Sequence, residues 1–167
     1  MDKQRVEQKM KEFESKLYYS FKDIKFLAEA MKSEKLGHVQ GEGGNSKNYS
    51  NERMAFLGDA ILKLLIAEEL YDTDTEARKG DLTDKKMHLE NNKVLSNIID
   101  GENLRPYTYN QNYFYGDDYP DHEKVAGNKH DVYIEAIVAA IYKDSDYDTV
   151  KKWFKDWLLP LLKKYKD

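Results

Sequence analysis

The 167 residues predict an all-α fold, a helical bundle, on three observations. Apolar positions recur at helical spacing over six segments. No stretch sustains the alternation of period two that marks strands. The polar, turn-rich residues gather in two stretches that fall between those segments, where connections belong.

The predicted helices cover residues 4 to 18, 22 to 31, 51 to 71, 81 to 99, 131 to 143 and 147 to 165. Between the second and third lies KLGHVQGEGGNSKNYS, too rich in glycine, asparagine and serine to bury itself, so a flexible surface loop is expected over about 35–50. The third segment takes Ser50 or Asn51 as its N-cap and carries Glu52 in its first turn, where a carboxylate suits the helix dipole. Its later part, AILKLLIAEELY, is apolar on most sides and predicts the central helix of the bundle. Gly58 inside it costs about 1 kcal/mol relative to alanine, which suggests a close approach by another helix or another subunit. From about 104 to 128 the chain is dense in tyrosine, asparagine and aspartate and contains Pro106 and Pro120, predicting an irregular excursion with a short helix. With no repeat and no linker, residues 1–167 read as one domain.

The chain contains no cysteine, which excludes disulfides, thiolate zinc sites and a cysteine nucleophile; any metal must sit on oxygen or histidine. The charged N-terminus lacks a signal-peptide core, and no apolar run approaches a membrane span, so a soluble, cytoplasmic protein without membrane contact is expected. A net charge of -4 argues against gripping nucleic acid by bulk charge. It leaves room for a carboxylate centre flanked by local basic residues. The 13 tyrosines fit a half-buried core as well as base stacking.

Two helical segments carry acids on otherwise apolar surface. In NERMAFLGDAIL, Glu52 and Asp59 share a face but stand two turns apart, roughly 10 Å, too far for one ion. In HDVYIEAIVAAIY, Asp131 and Glu135 are spaced four apart ahead of an apolar run. Packing the two segments together brings Asp59 and Glu135 toward one hard cation, with Asp131 contributing directly or through water. Oxygen ligands suit Mg²⁺ or Mn²⁺. The same residues also fit a plain bundle in which each acid pairs with a lysine or arginine or caps backbone.

NERMAFLGDAIL resembles the ribonuclease III signature NERLEFLGDAVL, and EAIVAAIY resembles that family's second acidic helix, DxxEALIGAIY. LYYSFKDIKFLAEAM is similar to the family's LGYxFxxxxLLxxAL, and KGDLTDKKMHLENNKVLSNI to EGxLTxxRxxLVxNxxLAxxA. The likeness runs from about residue 7 to 164. It implies the family's helical nuclease fold, a homodimer, and Mg²⁺-dependent hydrolysis of double-stranded RNA to 5′-phosphate and 3′-hydroxyl ends, with Mn²⁺ as substitute. Carried over by position, Glu52 matches the first signature glutamate, Asp59 the metal-binding aspartate and Glu135 the metal-binding glutamate, while Asp131 is a candidate ligand by its spacing from Glu135. Lys79, Lys85, Lys86 and Lys93 become candidates for phosphate contacts, although a solvated helix face accounts for them equally. Met54, Phe56 and Leu57 beside Gly58 become the candidate dimer surface.

Four departures qualify the resemblance. Ala55 stands where most of the family has a metal-contacting glutamate, as in the mini-ribonuclease III branch. Asp131 precedes Glu135 by four residues where the family has three, placing Val132 at the expected acid and turning the side chain by roughly 100°. Lys79 replaces an acid, and AMKSE replaces ALTHxS. With no double-stranded RNA-binding domain after LLPLLKKYKD, binding is expected to be weak and salt-sensitive. The alternative is a catalytically impaired RNA-binding or ribosome-associated scaffold with the same fold. More distant is an all-helical protein-interaction module without a nucleic-acid role.

Overall fold

A computed structural model describes residues 1–33, 50–118 and 131–166. The loop expected at 35–50 lies outside the described residues except for Ser50, as does the second irregular stretch beyond residue 118. Eight α-helices are described: α1 (Lys3–Leu17), α2 (Lys25–Met31), α3 (Ser50–Thr73), α4 (Lys79–Glu90), α5 (Asn92–Gly101), α6 (Tyr133–Asp144), α7 (Tyr147–Trp153) and α8 (Leu159–Tyr165). Among the described residues, extended pairing is limited to the isolated bridges Lys32–Tyr109 and Tyr109–Phe114.

Local chemistry sets most of these boundaries. The Asp2 side chain caps α1 by accepting from Gln4 N at 3.0 Å, and Val6, Met10, Phe13 and Leu17 line its buried face at helical spacing. α3 already includes Ser50, so neither Ser50 nor Asn51 is its N-cap. The single helix expected over 81–99 is two. Asn91 is extended between α4 and α5, and its side chain accepts from Val94 N at 3.0 Å, so it starts α5 where α4 stops. After α5 the chain makes a 3-10 turn (Arg105–Tyr107) and the two bridges.

The helix expected over 147–165 is continuous in path but widens into a π turn at Phe154–Leu158. Pro160 follows in the first turn of α8; its ring crowds the carbonyl four residues back and it donates no N–H, and a wider turn accommodates both. Across this turn the stacked indoles of Trp153 and Trp157 donate to the carbonyls of Leu17 (2.8 Å) and Lys16 (3.0 Å), satisfying acceptors left open at the end of α1.

The innermost helix is α6, with every residue from Tyr133 to Ile141 buried. α3, expected at the centre, lies against α6 and keeps a face in solvent, where Lys63, Leu64, Ala67 and Tyr71 are exposed. A single hydrophobic cluster runs through all eight helices.

Candidate active site

α3 and α6 meet at Gly58. A Cβ placed there would lie 1.6 Å from the carbonyl oxygen of Glu135 and 2.5 Å from its carbonyl carbon, so no larger residue fits without separating the helices. The close neighbour that Gly58 serves is α6 of the same chain. This crossing brings Asp59, the next residue on α3, close enough to Glu135 in the first turn of α6 for its charge to act on the Glu135 carboxyl.

The two acids differ in environment. Glu135 is only 6% exposed, and its Oε2 is buried without a hydrogen-bond partner. Burial pushes its carboxyl up to about 7; its own backbone N–H opposes the rise, and the charges of Asp59 and Asp131 add to it. The Asp59 side chain is half exposed and its Oδ2 accepts from Lys63 Nζ at 2.9 Å. That bond, foremost, holds the Lys63 ammonium above its ordinary value, and the charges of Glu90 and Glu135 reach it as well. Glu90, at the end of α4, is held by Lys86, whose Nζ lies 2.9 Å from Oε1 and 2.7 Å from Oε2.

An unpartnered carboxylate oxygen in a buried position is costly unless a cation completes it. The donors here are all oxygen, which fits Mg²⁺ or Mn²⁺. Among the described residues no group of three or more acids or histidines is assembled for an ion.

Asp131, expected as a further ligand, is engaged elsewhere. Arg105 donates from Nη2 to Oδ2 at 2.6 Å and from Nη1 to Oδ1 at 3.3 Å, and Ser96 Oγ donates to Oδ2 at 2.8 Å. Arg105 Nε also donates to Asp100 at 2.6 Å. Burial opposes the guanidinium charge, but the bonds to Asp131 and Asp100 outweigh it and raise its pKa. α6 begins at Tyr133, so Asp131 precedes the helix, and the shared helix face inferred from its spacing does not exist. The pair is a buried clamp, with side chains 5% and 1% exposed, joining the 3-10 turn to the entry of α6.

Glu52 is exposed in the first turn of α3, two turns from Asp59. Among the lysines, Lys79 and Lys93 are exposed, Lys85 is ion-paired with Asp74, and Lys86 holds Glu90. Three participants escaped the sequence reading: Lys63, Glu90 and Arg105. Lys63 was accessible to it, four residues after Asp59 on one helix. Glu90 and Arg105 reach their places through tertiary packing alone.

The profile of the ribonuclease III domain matches residues 52–146. Among curated relatives, ribonuclease 3 of Desulfotalea psychrophila is 30% identical over 98% of this chain and 64% of its own length. Ribonuclease 3 of Pseudothermotoga lettingae is 33% identical over 86% of this chain and 58% of its own. The chain thus spans about three fifths of the length of these relatives. Two solved structures of the ribonuclease III nuclease domain from Campylobacter jejuni superpose with TM-scores of 0.69 and 0.67 at 26% identity. They cover 94% of this chain and 96% and 93% of theirs, and one is described as flexible in a region involved in dimer formation.

Proposed function

Because this chain belongs to the ribonuclease III domain family, we propose that it is a divalent-ion-dependent endoribonuclease that cuts double-stranded RNA as a homodimer, leaving 5′-phosphate and 3′-hydroxyl ends. The observation that carries this reading is the contact of Gly58 with Glu135, which sets Asp59 beside a buried carboxylate with one open oxygen. Asp59 and Glu135 hold Mg²⁺, or Mn²⁺ in its place. The ion supplies positive charge that polarises a phosphodiester and acidifies water. Glu135 must be ionised to serve, so the proton held on its buried carboxyl competes with the ion and binding should strengthen as pH rises. Arg105 and Asp131 fix the entry of α6, and with it the position of Glu135. Lys79 and Lys93 are exposed candidates for contacts with RNA phosphates, and Lys85 and Lys86 must exchange an acid for a phosphate to join them. Glu52, exposed two turns before Asp59 on α3, is assigned a supporting role.

Ala55 supports a second reading. It is buried where most of the family carries another acid, and such a loss fits a catalytically impaired RNA-binding scaffold. Cleavage of end-labelled duplex RNA separates the two. In Mg²⁺, the unaltered protein should cut, and Asp59→Asn or Glu135→Gln should lower the rate by about 100-fold or more, since even indirect partners of a metal are worth 10–100-fold. Duplex binding in Ca²⁺ with no cutting in Mg²⁺ or Mn²⁺ selects the scaffold.

A further inference from the structure

Lys63 occupies a position that the family resemblance leaves without a role. Its ammonium lies 2.9 Å from Asp59 Oδ2 and is the direct partner of the acid that the proposed metal site requires. Lys63 side-chain exposure is 48% and that of Asp59 49%, so the contact opens to solvent and the lysine has room to leave. The charges of Glu90 and Glu135 also reach the ammonium, from α4 and α6. A monovalent ammonium and a divalent ion cannot share one carboxylate oxygen at contact distance without strong repulsion.

We infer that Lys63 is a tethered counter-cation which neutralises Asp59 in the metal-free protein and which an incoming divalent ion must displace, so that it sets the ion concentration the site needs. The inference rests on the proposed metal site and adds a residue to it. Lys63 is a positioning residue here, since it acts on the ion through Asp59. Its exposure makes removal structurally mild, and substitution by methionine keeps length and helix propensity while deleting the charge.

The test is calorimetric titration of Mn²⁺ into the metal-free protein in mildly alkaline buffer, without RNA, comparing the unaltered chain with Lys63→Met, Lys63→Gln and Asp59→Asn. Thermal melting of each variant verifies folding. Deleting the ammonium should tighten Mn²⁺ binding by about fivefold in both Lys63 variants, the ratio that corresponds to about 1 kcal/mol, the upper range for an exposed ion pair. Equal or weaker binding in both Lys63 variants, with Asp59→Asn abolishing binding, overturns the role of Lys63 and leaves the metal site standing. Absence of binding to every variant and to the unaltered chain overturns both.

Discussion

Glu135 is where the site costs stability. Its carboxyl is buried, and its pKa in the folded chain is about 7 against an ordinary value of 4.5. A carboxyl raised in this way binds its proton more tightly folded than unfolded, so its ionisation works against the fold. In the metal-free protein, stability should therefore fall as pH rises from about 4.5 to about 7, by up to about 3 kcal/mol if this group acts alone. Glu135→Gln should remove that slope and be the more stable protein above the window. Urea unfolding at a series of pH values in a chelating buffer measures both; matching slopes for the two proteins would contradict this account. Asp131 has a different role: with Arg105 2.6 Å away it is one half of a buried ion pair at the entry of α6.

At the scale of elements, the α3–α6 crossing is what makes two distant acids neighbours. The crossing depends on the missing Cβ of Gly58, opposed by the backbone of Glu135 and not by a side chain that can turn away. Gly58→Ala should therefore destabilise the protein by about 3 kcal/mol or more, at or beyond the upper end for overpacking, despite the better helix propensity of alanine. Denaturant melts read this directly, and a neutral or stabilising result would show that α3 and α6 can separate freely. The same crossing explains why α6, the shorter helix, is buried on all sides while α3 retains a wet face. The polar entry to α6 is secured by Arg105, which bonds Asp131 and Asp100 together. At the opposite end, Asp144 accepts from Tyr19 Oη, Lys22 N and Asp23 N at 2.8–2.9 Å, tying the turn after α1 to the end of α6.

For the molecule as a whole, the exposed face of α3 is the feature that one chain leaves unexplained. Phe56 is 85% exposed, and Ala60, Leu64, Ala67 and Tyr71 continue the same face at spacings of three and four. The sequence assigned Met54 and Leu57 to that surface as well, but Met54 is buried in the core and Leu57 is half-buried. A two-fold axis along this face would let the stripe cover itself, in keeping with the proposed homodimer. Sedimentation should find a dimer at micromolar concentration, and Phe56→Glu should shift it to monomer by placing a charge at the centre of an apolar contact. A monomer for the unaltered chain across that range would exclude the dimer. Among the described residues no helix is long and apolar enough to cross a membrane, so this stripe does not mark a spanning segment.

The helical class, the approximate helix positions and Gly58 as the mark of a close approach were legible in the sequence, because hydrophobic periodicity and a glycine inside an apolar helix are local signals. The break at Asn91 and the π turn before Pro160 were local too, yet a periodic apolar pattern runs across both and conceals them. What only the folded chain decided is who partners whom. Asp131 goes to Arg105, Asp100 shares that guanidinium, and α6 takes the centre in place of α3, whereas the pairs Asp59–Lys63 and Lys86–Glu90 lie within single helices. Charge pairing acts over a few ångströms in space, and spacing along a chain carries that information within one helix but not between helices.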